Sequence, residues 1–254
     1  TETDVVKDLD EHFKAFSEPF GDYSSLPTLK VCNMAKSYFS VILGGDGGDE
    51  LFWGYPRFNN IVNHFNWFSY SPRYRRLAAA IFRKCGVKIS HGIHIGELED
   101  WMISIHSHNQ LNILNKILPE SYNSNYMMNL YYSGSKLKTK RQLLNWLRWN
   151  EFYGHLQRIL IKVDRVSMYN SLEVRVPFLD RNILDLVQKI NPELGINHHQ
   201  PKYILKKILK KYFPNIKNPD RKVGFSFDMD YALKNQLREE VYDLLINKDP
   251  YPYN

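Results

Sequence analysis

The chain has 254 residues, 43% hydrophobic and 24% charged, enough apolar material for one large core or two small ones, which excludes a disordered or fibrous protein. Its formal charge of +7 fits an anionic substrate or a well-solvated surface. There is no zinc-finger spacing and no RNA-binding signature, so no nucleic-acid partner is expected. Two cysteines, Cys32 and Cys85, point to a reducing compartment, and no apolar run reaches the roughly 20 residues of a bilayer span. The expectation is a cytoplasmic protein with no membrane partner.

Residues 1–16 predict an amphipathic helix, with Thr1 and Asp4 at its start and Val5, Val6, Leu9, Phe13 and Phe16 on one stripe. Glu18-Pro19-Phe20-Gly21-Asp22, with Ser24 and Pro27, reads as a loop. A second helix follows over residues 28–38. Val41-Ile42-Leu43 is apolar and largely β-branched, and predicts a buried strand of a parallel sheet.

That strand runs straight into Gly44-Gly45-Asp46-Gly47-Gly48-Asp49-Glu50. Open α/β sheets bind ligands at the carboxyl ends of their strands. Glycines let backbone approach a ligand closely, and their N–H groups suit phosphate oxygens. Asp46, Asp49 and Glu50 together are too acidic for a bare phosphate, so a divalent cation, Mg2+, is expected between them. Taken alone, the same composition also describes a calcium loop or a plain Gly/Asp turn.

Residues 74–85 predict a basic helix closed by Gly86, and residues 98–105, 111–118 and 126–132 predict shorter ones. His106 and His108 are two apart, off one helix face and without a neighbouring carboxylate pair, which argues against a metal there; the same holds for His198 and His199. Residues 141–151, with Trp146 and Trp149, read as a core helix rather than a base-stacking platform. In the next helix, Arg158, Lys162 and Arg165 share one face beside Asp164: a solvated basic face, or a wall of an active site. Residues 171–180 read as a turn into a new helix, with a buried Glu173–Arg175 ion pair and Asp180 as its cap. Residues 202–213 alternate lysines with Ile204, Leu205, Ile208 and Leu209, a surface helix with a buried stripe. Arg221-Lys222-Val223-Gly224-Phe225 is a loop, and residues 230–246 form a last helix.

Four of these stretches, in this order, resemble the asparagine synthetase (glutamine-hydrolysing) family in its C-terminal synthetase domain. The family reads Ser-Gly-(Glu/Asp)-Gly-(Ala/Gly)-Asp-Glu-Leu-Phe-x-Gly-Tyr where this chain has Gly44 through Tyr55, with Gly44 in the serine place. Residues 18–27 resemble the segment upstream. Lys162-Val163-Asp164-Arg165 and Ser171-Leu172-Glu173-Val174-Arg175-Val176-Pro177-Phe178-Leu179-Asp180 resemble the Lys-x-Asp-Arg and Ser-Leu-Glu-x-Arg-x-Pro-Phe-Leu-Asp block. Arg221 to Phe225 resembles the Lys-x-Gly-Phe motif.

The resemblance implies a mostly helical α/β fold: the C-terminal part of an adenine-nucleotide α-hydrolase-like (ATP pyrophosphatase) domain with a helical region appended. It is expected as one portion, residues 1–57 closing the nucleotide-binding core and 58–254 mainly helical. The family's first ATP loop, Ser-Gly-Gly-x-Asp-Ser, and its N-terminal glutaminase cysteine are not found, so the chain is expected to be part of a longer enzyme and inactive alone. The implied partners are ATP, aspartate or another carboxylate, and a glutaminase domain of the same parent chain; a homodimer is compatible. The implied site has Lys222, Asp46 and Asp164 in catalysis, Gly44, Gly45, Asp46, Gly47, Gly48, Glu50 and Lys222 on the nucleotide, and Asp49 on the metal. One departure stands out: Gln157 and Arg158 occupy places where the family has acidic residues. It keeps open a ligase acting on a sugar uronate in surface-polysaccharide synthesis. A non-catalytic helical binding module is the third alternative.

Overall fold

The structure, a computed structural model, describes residues 5–87, 97–106, 137–196, 200–216 and 227–247. Helices α1 (Val5–Ala15) and α2 (Ser25–Lys36) lead to strand β1 (Val41–Leu43) and a single helical turn, α3 (Gly48–Leu51). Next come α4 (Pro56–Asn63), α5 (Pro72–Lys84), α6 (Leu98–His106) and α7 (Lys140–Asn150). A π turn over Glu151–His155 runs into α8 (Leu156–Tyr169). Strand β2 (Glu173–Arg175), α9 (Arg181–Lys189), α10 (Tyr203–Tyr212), α11 (Met229–Lys234) and α12 (Arg238–Tyr242) complete the order. The described fold is thus mostly helical with one two-stranded parallel sheet. The chain divides into two units, residues 1–44, 159–177 and 219–254 in the first and 45–158 and 178–218 in the second.

In the first unit β1 pairs in parallel with β2, Val41 opposite Glu173 and Leu43 opposite Arg175. The direction is the expected one; the burial is not. Val41 is 42% and Leu43 73% exposed, while Ile42 packs inward with Phe16, Leu29, Cys32, Val166 and Leu172. Among the described residues the sheet has only these two strands, so one face of β1 stays open. The second strand was expected to be a turn. Glu-Val-Arg is too short to show a period, and its pairing is with a segment far away in the chain. Glu173 and Arg175 do pair, at 2.7 Å, but two positions apart on a strand puts both on the same face, and here that face is exposed.

Helix α2 begins earlier than expected, because a proline in the first turn costs a helix no hydrogen bond it would otherwise make. On α1, Phe13 is exposed and His12 buried instead. His12 Nδ1 lies 3.2 Å from Ser25 Oγ, and its ring packs on Phe16. Cys32 is a buried free thiol, while Cys85 is exposed. The expected last helix is broken in two, with Ala232 and Leu237 buried at the break.

The second unit holds the larger core. Trp53, Phe58 and Ile61 meet Trp101 and Met102 of α6 and Leu143, Leu144, Trp146 and Leu147 of α7. Thr139 and Gln142 form a capping box that starts α7, two orphan N–H groups satisfied reciprocally. A neighbouring cluster joins Leu51, Phe52 and Val187 with Phe178, Leu179, Ile204 and Leu205. Asp180 caps α9 as expected, accepting from the Asn182 N–H at 2.9 Å. The stripe on α10 is only half covered, with Ile204 and Leu205 packed and Ile208 exposed. No helix of the described residues is long and apolar enough to cross a membrane.

Candidate functional site

The glycine-rich loop after β1 divides by what each glycine does. The Gly44 N–H donates to the Arg175 carbonyl at 2.8 Å, and the Gly48 N–H to the Gly45 carbonyl at 3.3 Å. Both N–H groups thus have a backbone acceptor within the loop and its neighbouring strand. Gly47 has φ +83°, and a Cβ there would lie 2.8 Å from Leu179 Cδ2; one on Gly48 would lie 3.1 Å from the Phe178 ring. The lack of a side chain at these two glycines leaves room for Phe178 and Leu179. A Cβ on Gly45 would have nothing within 4 Å, so the loop can be approached openly there.

The carboxylates divide in the same way. Asp46 is half-buried. Asp49 Oδ1 lies 3.0 Å from Lys202 Nζ, with side chains 17% and 31% exposed. One costly backbone conformation and one missing side chain accommodate that pair. Lys202 sits in the left-handed region at φ +55°, where a non-glycine residue is strained. A side chain on Gly54 would collide with both the Asp49 carboxylate and the Lys202 stem. Glu50, expected on the nucleotide, is 2% exposed and accepts a hydrogen bond from the Tyr55 hydroxyl. Burial raises its pKa, only partly offset by that hydrogen bond. Burial and the Glu50 charge raise the Tyr55 pKa likewise.

Behind Tyr55 lies an ion cluster that sequence reasoning missed. Arg57 donates to both oxygens of Glu151, Nε at 3.0 Å and Nη2 at 2.7 Å, and its guanidinium lies 3.8 Å over the Tyr55 ring. His106 Nε2 is 3.0 Å from Glu151 Oε1, and the His155 ring lies 4.7 Å from that of His106. Burial alone would raise the Glu151 pKa, but His106 and Arg57 outweigh it and hold the carboxyl at about 2. Burial, then the His106 charge, lowers His155 to about 3. Ligand atoms of His106, Glu151 and His155 fall within 4.8 Å of one another, a metal-sized grouping. Glu151 is the carboxylate that the sequence lacked beside His106, delivered by the fold from the far end of α7. Arg57 already takes it bidentately, however, and Arg158 Nη2 stands 3.2 Å from His155 Nδ1. Two adjacent guanidiniums make this an ion cluster rather than a metal centre.

In the first unit Lys162 joins the loop of residues 18–27 to the Lys-x-Asp-Arg block. Its Nζ donates to Ser24 Oγ at 2.8 Å and lies 3.6 Å from Asp22 Oδ2. The Ser24 N–H in turn donates to Asp22 Oδ1 at 3.1 Å. Asp164 and Arg165 are exposed. Lys222 lies outside the described residues, as do His108, His198, His199 and the helices expected over 111–118 and 126–132. Lys202 is the site residue that reading the sequence did not single out; it was counted among the surface lysines of its helix, and its one local signal is the preceding Pro201.

Residues 1–251 match the family model described as asparagine synthase. The chain is 27% identical over 239 residues to asparagine synthetase [glutamine-hydrolyzing] 1 of Bacillus subtilis strain 168, covering 91% of this chain and 37% of that protein. It is 27% identical over 254 residues to a putative asparagine synthetase [glutamine-hydrolyzing] of Mycobacterium tuberculosis H37Rv, covering 94% and 38%. A putative asparagine synthetase [glutamine-hydrolyzing] 2 of Methanocaldococcus jannaschii is 28% identical over 191 residues, 70% of this chain and 35% of the relative. The chain thus spans under two-fifths of the length of these relatives, in their C-terminal part. No solved structure matches.

Proposed function

We infer that this chain, which belongs to the asparagine synthase family, serves in a longer enzyme that amidates a carboxylate at the expense of ATP, with aspartate as the acceptor. A carboxylate oxygen attacks the α-phosphorus of ATP. The bond from that phosphorus to the α–β bridging oxygen breaks, and pyrophosphate leaves. Ammonia released from glutamine by a glutaminase domain then attacks the acyl carbon of the acyl-adenylate. AMP departs, and the nitrogen loses a proton to give the amide. Activation is needed because a free carboxylate offers only an oxide-like leaving group; AMP is a far better one.

The single observation that carries this reading is the Asp49–Lys202 pair beside the open glycine, Gly45. Mg2+ is a hard cation that takes carboxylate oxygens, and the ion pair with Lys202 fixes the Asp49 carboxylate. Asp46 and Asp49 would hold the metal with pyrophosphate; bound there, Mg2+ would supply charge neutralisation on the phosphate oxygens. Lys202, paired with Asp49, would lie beside a phosphate held there. Lys222 neutralises α-phosphate charge as it develops, and Asp164 orients the acceptor. Gly44, Gly47, Gly48 and Glu50 act as the frame of the loop, with Gly45 at its contact with nucleotide.

The Gln157-Arg158 departure favours a second acceptor, a sugar uronate: Arg158 places a cation near His155 where the resemblance expects carboxylates. Carboxylate labelled with oxygen-18 tests the reaction in the full-length enzyme. Label should pass to AMP, from aspartate or, for the second acceptor, from the uronate. Label recovered in inorganic phosphate would mean an acyl phosphate and overturn the adenylate. Lys222→Ala should abolish aspartate-dependent ATP–pyrophosphate exchange and leave glutaminase activity intact.

A further inference from the structure

Arg148, on the last turn of α7, is among the most deeply buried charges of the second unit at 1% exposure. Its guanidinium stacks 3.9 Å over the Trp53 ring, and Nη1 donates to the Val187 carbonyl at 2.8 Å. Among the described residues, Nε and Nη2 have no hydrogen-bond partner and no carboxylate pairs with this arginine. A buried cation left in that state is costly, since each unmet donor forfeits the water it would have had outside. Burial lowers its pKa to about 10, so it still carries its charge at neutral pH.

The unmet edge has a specific shape. Nε and Nη2 form the side of the guanidinium that grips a carboxylate with two parallel hydrogen bonds. The same molecule shows that grip completed: Arg57 uses Nε and Nη2 on the two oxygens of Glu151. Arg148 also lines an open cavity of about 450 Å³, whose other lining residues are Asn145, Trp149, Tyr153 and Gln188. That lining is rich in donors, with two amides, an indole N–H and a phenol, and contains no acidic side chain. Trp149 and Tyr153 lie with ring centroids 6.0 Å apart and 31° between planes, giving the cavity an aromatic wall. Neutral amides tolerate either sign of ligand, but the guanidinium selects the anion, and its flat fork selects a planar carboxylate over a tetrahedral phosphate.

We propose that this cavity binds a small carboxylate ligand, an organic or amino acid, on the Nε/Nη2 edge of Arg148. Both nitrogens are shielded where the side chain now lies, so binding turns the guanidinium toward the cavity while its stack on Trp53 persists. Trp53 belongs to the glycine-loop segment, so an occupant here braces that segment from behind.

Succinate, benzoate and inorganic phosphate, titrated at constant ionic strength into the full-length protein by calorimetry, test the proposal. The two carboxylates should bind saturably, and phosphate should bind at least about tenfold more weakly. Arg148→Lys keeps the charge but loses the fork, and should weaken carboxylate binding about tenfold. Because a change at a buried site can unfold the protein, the exposed rim gives a second variant. Gln188→Glu supplies an internal carboxylate, and should raise the thermal midpoint and abolish carboxylate binding together. Equal binding of phosphate and carboxylates, no saturable binding, or unchanged binding in Gln188→Glu would each overturn the proposal.

Discussion

The glycine loop with its acidic residues and the short sheet that feeds it are adjacent in sequence, yet they treat their motif residues in opposite ways. In the sheet, Val41, Leu43, Glu173 and Arg175 lie exposed, and the contacts that order them are mainly backbone hydrogen bonds. In the segment 45–57, Gly47, Gly48, Trp53 and Tyr55 each meet a side chain from elsewhere in the second unit, and Glu50 is held by Tyr55 within the segment. A motif is therefore a mixture. Some of its residues hold the loop in shape, while a Cβ on Gly45 would meet nothing within 4 Å and Asp46 and Asp49 stay only half-buried.

The contrast breaks most visibly at Glu151. Glu151→Ala leaves Arg57 without its carboxylate and should cost roughly 3–5 kcal/mol, read as a lower midpoint in urea unfolding. Next in size, Leu51→Ala should cost about 2–5 kcal/mol, whereas Leu43→Ala on the open strand should change stability by no more than about 0.5 kcal/mol. Equal losses for the two leucines would erase the distinction. Within the loop, Gly47→Ala meets Leu179 in a left-handed conformation and should cost about 1–3 kcal/mol. Gly45→Ala should fold as well as the natural protein, within about 1 kcal/mol, while weakening nucleotide binding.

Acid should act on the framed region. The Glu151 pKa is depressed to about 2 in the folded protein, so its stabilisation is complete above its unfolded value and fades as pH falls from about 4.3 toward 2. His155 is held near 3, below its unfolded value, so the unfolded state binds the extra proton and stability falls as pH drops from about 6.5 to 3. Glu50 has the opposite sign: its pKa is raised, and its cost grows as pH rises through the unfolded carboxylate range. Each unmatched proton contributes a slope of about 1.4 kcal/mol per pH unit. His155→Phe should reduce, without abolishing, the pH dependence between 5 and 6.5 in chemical-denaturation midpoints, because burial also lowers the His12 pKa.

Much of this was legible in residue order. The strand at 41–43 announced itself by β-branched residues before glycines, and α7, α9 and the Asp180 cap by period and capping chemistry. What stayed hidden depends on partners far away in the chain. Nothing near Glu151 says that Arg57 and His106 will surround it, and nothing near Lys202 says that Asp49 lies within 3.0 Å. The glycines were visible, but not the packing against Gly47 and Gly48 of Phe178 and Leu179, which come from far along the chain. β2 was hidden because three residues carry no period.

The most direct test is carboxylate-dependent ATP–pyrophosphate exchange in the full-length enzyme carrying Asp49→Asn, a change that keeps the shape and removes the charge. Exchange should fall by roughly 100-fold or more with the thermal midpoint little changed. Exchange at the natural rate would contradict the placing of pyrophosphate and metal at this carboxylate.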